Sequence, residues 1–200
     1  MKYPEFFDKV ESIELYDELS EFLGAIENGI IEITYLDCVK LAGHSCPTVA
    51  GAYIATIVAL RELFKTELPS RSNITVELKN PKDEGVTGVI GTVVAYICGA
   101  SDEGGFAGIG GKMSRRGLLH YNCNIEGDIK LTDNNTNRSI NVSISTSLVP
   151  GNPDMMPLMQ KALSGIATKE EIEKFRDMWQ GRVEYMLTHN ELWDKIAKIS

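Results

Sequence analysis

Two hundred residues are enough for one domain with a substantial core, and a formal net charge of −8 argues against a basic nucleic-acid-binding face. Apolar residues at 43% and charged residues at 24% match a soluble globular chain; the longest apolar run, Val49 to Leu60, is too short for a membrane span. Met1-Lys2-Tyr3-Pro4-Glu5 lacks the layout of a signal peptide, so a cytoplasmic location is expected. Cys38, Cys46, Cys98 and Cys123 form no C-x-x-C pair, which argues against a zinc finger, and a reducing compartment argues against a disulfide framework.

Glu5 to Ile26 is predicted to form one or two amphipathic helices. Phe6, Val10, Ile13 or Leu15, Leu19, Phe22, Leu23 and Ile26 recur at roughly helical spacing, and Gly24 and Asn28-Gly29 end the pattern. Ile30 to Tyr35 is β-rich and alternates, which predicts a short strand. Asp37 is placed to cap a single helical turn carrying Cys38 toward a bend at Gly43.

Gly43-His44-Ser45-Cys46-Pro47 follows, and it is the stretch around which the chain is organised. Pro47 suits the first position of a helix, because its missing N–H has no intrahelical partner there. A helix is therefore expected over 47–64, with Cys46 at the N-cap and His44 in the preceding turn. Val49, Tyr53, Ile54, Ile57, Val58 and Leu60 alternate with Ala50, Gly51, Ala52, Ala55 and Ala59, the composition of a buried core helix. A sulfur at its N-terminus faces unpaired N–H groups and the positive end of the helix dipole, both of which favour thiolate. A thiolate beside an imidazole is half of a metal site or an activated nucleophile.

Beyond the Leu68-Pro69 break, Asn73 to Lys79 alternates as a strand and Asn80 to Gly85 reads as a turn. Gly88 to Cys98 is continuous, apolar and β-branched. Its flanking glycines favour a central strand, although a buried helix shares the pattern. Ser101 to Gly117 is rich in glycine and matches neither a Walker A loop nor a dinucleotide fingerprint. It is expected to be a flexible loop near the site, with Gly105, Gly108, Gly110, Lys112 and Arg115 as candidate cofactor- or anion-binding positions. Leu118–Tyr121, Ile129–Thr132 and Ser139–Ser145 read as strands, the last two joined by a hairpin turn. The last fifty residues read as helices: one starts at Asn152-Pro153, and another is opened by a Thr168/Glu171 capping box. Phe175, Met178, Trp179, Val183, Met186 and Leu187 line the buried face of that second helix as packing residues.

Gly43-His44-Ser45-Cys46-Pro47, running into Ala50-Gly51-Ala52-Tyr53, resembles the family named for the E-type subunit of formylmethanofuran dehydrogenase, whose members carry a G-H-x-C-P motif before a glycine- and alanine-rich helix. The resemblance extends from about Asp37 to Tyr121. It implies an α+β fold, a homodimer, and a candidate metal or active site at the motif. It also implies an accessory role beside a molybdenum or tungsten oxidoreductase. The chain departs from the family at Glu84-Gly85-Val86, where members often carry a further cysteine, and in lacking a cysteine-rich finger at its C-terminus.

The expectation is thus one α+β domain over 1–200. A mostly antiparallel sheet packs on a long buried helix between helical N- and C-terminal segments, with a helical extension from about 152. Its leading function is metal or cofactor binding through His44 and Cys46, with zinc the default for imidazole plus thiolate and nickel or haem iron as alternatives. Cys38, Cys98 and His120 are candidates for the missing ligands. The alternative is a cysteine-dependent enzyme in which Cys46 is nucleophile or redox thiol, His44 is the base, and Lys112, Arg115 or Arg116 holds an anionic substrate.

Overall fold

The helix Pro47–Phe64 (α3) starts where Pro47 and Cys46 predict, and fifteen of its eighteen residues are buried. It has the length and hydropathy of a membrane-crossing segment, but protein surrounds it. In the computed structural model, which describes Met1–Ser200, the chain is α+β and α3 is its central element. A five-stranded sheet in the order β4-β3-β5-β6-β7 covers one side of α3: β3 (Ile74–Leu78), β4 (Leu119–His120), β5 (Ile129–Asp133), β6 (Arg138–Ile144) and β7 (Ala197–Ile199). Every pairing is antiparallel except β3 with β4. Ile74, Val76, Leu78, Ile129, Leu131 and Val142 are enclosed, in the period-two pattern of a sheet with one wet face.

The N-terminal region differs from the expected amphipathic helices. A 3₁₀ turn at Glu5–Lys9 leads into β1 (Ile13–Tyr16), which pairs antiparallel with β2 (Ile30–Ile33). Ile13 and Leu15 are compatible with either period, and burial on alternate residues shows that the period of two prevails. Only Glu18–Phe22 (α1) is helical, with the Asp17 carboxylate accepting from the Ser20 N–H. The next helix, α2 (Tyr35–Ala42), is longer than the single turn expected. Thr34 is its N-cap, and Asp37 serves as the third helical residue of a capping box.

The run Gly88–Cys98 is a helix, α4 (Thr87–Cys98), and this overturns the strand expectation. The reason lies in the topology. β3 and β4 run parallel, and a parallel pair needs a crossover across the face of the sheet, which α4 begins. Packed on α3, α2 and β3, it has no need of a polar face. At the C-terminus, α5 (Met155–Leu163) begins three residues after Asn152, and α6 (Lys169–Thr188) has the predicted Thr168/Glu171 capping box. A short helix, α7 (Trp193–Ile196), then delivers the unexpected strand β7 to the edge of β6.

Asp17, fully buried, ties the N-terminal hairpin to the glycine-rich loop. Arg115 donates to both of its oxygens at 2.7 and 2.6 Å, and Arg71 donates at 3.1 Å. The same guanidinium groups also donate to the carbonyls of Tyr96, Ile97 and Gly99, which lie at the negative end of the α4 dipole. Gly99 must be glycine, since a methyl group there would collide with Arg115. Burial by itself would raise the Asp17 carboxyl, but hydrogen bonds from Arg115, the Ser20 N–H and Arg71 hold it below the usual carboxylate range. A depressed folded-state pKa means that this stabilisation is complete above the unfolded value of about 3.9 and is lost as pH falls through the folded value. Asp17→Ala is expected to lower stability at pH 7 by about 3 kcal/mol, as measured by denaturant unfolding, and to flatten the loss of stability below about pH 4.

Candidate functional site

The turn Gly43–Cys46 is built from both sides. Gly43 adopts φ 75° as the left-handed C-cap of α2, which reverses the chain before α3 begins. Cys46 is extended, 8% exposed, and its Sγ accepts from the Val49 N–H at 3.4 Å. The expected N-cap geometry is therefore present, and one of the unpaired N–H groups of the helix end is directed at sulfur.

His44 is exposed, and its Nδ1 lies 2.9 Å from the carbonyl oxygen of Ala42. A carbonyl only accepts, so Nδ1 carries the hydrogen and the lone pair is on Nε2. Ser45, between the two, is the anchor. Its carbonyl accepts from Trp179 Nε1 at 3.0 Å and Gln180 Nε2 at 3.3 Å, and its hydroxyl is 3.0 Å from the Tyr35 hydroxyl. Trp179 and Gln180 are the site residues that sequence reasoning misses. Trp179 sits in a helical apolar stripe, and nothing local connects it to a residue 134 positions away.

His44 lines a shallow hollow of about 230 Å³ with Leu41, Ala42, Gly88, Val89 and Thr92; Cys46 does not line that hollow. Cys38 and Cys98 are fully enclosed in the core, and burial pushes both thiols up to about 12. His120 is exposed on β4, opposite Glu77 on β3. Nowhere in the chain do three His, Cys, Asp or Glu side chains gather around one point that could hold a metal ion. Zinc needs three or four ligands, so the residues of one chain do not fit a zinc centre by themselves.

The glycine-rich loop is ordered by contacts of its own. Ile109 and Lys112 exchange two backbone hydrogen bonds around Gly110-Gly111, whose φ values of 57° and 77° make a type I′ turn. A Cβ at Gly108 would strike the Lys112 carbonyl, and one at Gly105 would crowd Ser101 and the Arg115 carbonyl. Gly105, Gly108 and Gly110 thus have a conformational reason independent of any cofactor. Arg115 is engaged by Asp17, Lys112 is exposed, and the polar side-chain contacts of the loop run to Asp17, Gly99 and Lys82 rather than to His44 or Cys46.

At pH 7 iodoacetamide is expected to modify Cys46 while leaving Cys38 and Cys98 unmodified until the protein unfolds, as read by peptide mass mapping. Trp179→Phe removes one donor to the Ser45 carbonyl. It should cost about 1 kcal/mol in stability and raise the rate of Cys46 modification; an unchanged rate would show that this hydrogen bond does not hold the turn.

Comparison of the chain with protein-family models, with characterised proteins and with solved structures gives no match.

Proposed function

We propose that this protein is a metal- or cofactor-binding accessory protein like the E-type component of formylmethanofuran dehydrogenase, in which His44 and Cys46 are two donors of a centre completed from outside the chain. The observation that carries this reading is the state of His44: an exposed imidazole whose Nδ1–H is tied to the Ala42 carbonyl, so that the lone pair on Nε2 is left for a ligand. Metal-ligating histidines are commonly oriented in this way by a backbone carbonyl. Since one chain supplies too few donors, the remaining ones come from a second copy or from a larger oxidoreductase partner. A homodimer with its two motif turns apposed offers two imidazoles and two thiolates, a set suited to zinc, with nickel or haem iron as alternatives. Leu41, 42% exposed, borders the His44 hollow and provides apolar surface for such a contact.

A second reading rests on Cys46 itself. Its sulfur accepts the Val49 N–H at the head of an eighteen-residue helix, a placement that suits a nucleophilic or redox thiol.

Metal analysis and sedimentation of the purified protein separate the two readings. A dimer holding about one metal ion per two chains is expected, with metal lost in both His44→Ala and Cys46→Ser while far-UV circular dichroism is unchanged. Metal retained by both variants overturns the first reading. Metal-free protein whose Cys46 is modified rapidly, and more slowly in His44→Ala, favours the second.

A further inference from the structure

The segment after β6 and the second half of α6 border an open hollow of about 500 Å³. Leu148, Val149, Pro150, Met178 and Tyr185 make most of its wall, with Asn152 and Arg182 as the polar residues. Leu148 and Tyr185 are 55% and 46% exposed, so two large side chains stand there without cover. His44 and Cys46 do not border the hollow, which is independent of the function proposed above.

Arg182 is the only charged residue in this lining, and it is a cation without a counter-ion. On α6 its neighbours three and four positions away are Met178, Trp179, Tyr185 and Met186, and the segment 145–153 beside it contains no acid. Its partners are two neutral carbonyls: Nε donates to Val149 at 2.7 Å and Nη2 donates to Thr146 at 3.0 Å. Burial disfavours the charged form and lowers its pKa, with no acidic neighbour acting against that. The end of the fork, Nη1 with the second hydrogen of Nη2, has no acceptor within the chain. That edge of a guanidinium holds a carboxylate by two parallel hydrogen bonds.

Gly181 is a second, independent observation. It lies inside α6 and borders the same hollow, at a position where glycine weakens a helix. Nothing within the chain requires it, since an added methyl group would meet no atom within 4 Å. Bare backbone at an open wall leaves room for a molecule from outside to approach closely. Tyr185, one turn further along, is held in place by stacking on His189, with ring centroids 3.9 Å apart.

We propose that this hollow is a binding site for a small aryl carboxylate. The carboxylate takes the free end of the Arg182 guanidinium and supplies the counter-ion that the chain does not. The ring rests over Gly181 against Leu148, Met178 and Tyr185; a fixed aromatic side chain and a thioether both favour aromatic contact. A mostly apolar lining with one charged group is the usual make-up of a small-molecule site, and the volume falls within the range of about 300–1,000 Å³ for such pockets.

Calorimetric titration of the full chain with phenylacetate tests the proposal, beside phenylacetamide, which keeps the ring without the charge, and acetate, which keeps the charge without the ring. Phenylacetate should bind saturably and at least tenfold more tightly than either analogue. Arg182→Lys keeps the charge but loses the fork, and should weaken phenylacetate about tenfold. Gly181→Leu should weaken it at least tenfold by filling the space the ring takes. Leucine is favoured in a helix and position 181 is open, so Gly181→Leu should keep or raise the melting temperature and separates loss of the site from loss of the fold. Absence of saturable phenylacetate binding overturns the proposal. Phenylacetamide binding as tightly as phenylacetate overturns the carboxylate assignment, acetate binding as tightly overturns the aryl assignment, and unchanged affinity in Gly181→Leu overturns the location.

Discussion

From Pro47 to Leu60 the central helix carries no charged side chain, so every side of it must be covered by other apolar surface. The sheet supplies Ile129, Leu131 and Val142; α4 supplies Val93, Val94 and Ile97; the C-terminal helices supply Val183, Met186, Leu187 and Trp193. At about 1.5–3 kcal/mol for each large side chain removed from water, this enclosure is the dominant favourable contribution to folding. The buried polar side chains of α3 are satisfied internally. The Tyr53 hydroxyl bonds the carbonyls of Glu11 and Ile33, and Thr56 bonds back to Ala52. Complete coverage also explains the last strand: β7 extends the sheet on the far side of β6, in contact with α3.

A rigid, enclosed helix gives its N-terminus a fixed position, and the chemistry-bearing residues lie at that end. The motif turn is held at Ser45 by Tyr35 from α2 and by Trp179 and Gln180 from α6, while the His44 side chain stands out into solvent. The partial positive charge at the head of α3 acts on the Cys46 sulfur. A cavity of about 290 Å³ bordered by Thr87 and Ile90 and the His44 hollow bordered by Gly88, Val89 and Thr92 lie on either side of the same turn of α4.

The glycine-rich loop shows how composition can suggest a ligand site where local folding needs suffice. Its glycines make a type I′ turn and allow close backbone approaches, and Arg115 at its end joins Arg71 in neutralising Asp17 and the carbonyl end of α4. Two guanidinium groups on one carboxylate leave a surplus of positive charge, which the Tyr96, Ile97 and Gly99 carbonyls balance. The arginine that composition offers as an anion clamp is an internal brace.

Local sequence by itself determined the features that depend on neighbours along the chain. Pro47 and Cys46 set the start of α3, Thr168 with Glu171 set the start of α6, and alternation in Ile74–Leu78 and Arg138–Ile144 marked two strands. It also located the motif turn, because a helix start is written in caps and a proline rather than in distant contacts. Tertiary structure decided the rest. Gly88–Cys98 is apolar all round and so carries no period; only the parallel pairing of β3 and β4 makes it a crossover helix. Ile13–Tyr16 became a strand because β2 was there to pair with it. The main partners of Ser45 and Asp17 lie tens of residues away, and no local pattern encodes a contact whose two halves meet only when the sheet and helices have closed around α3.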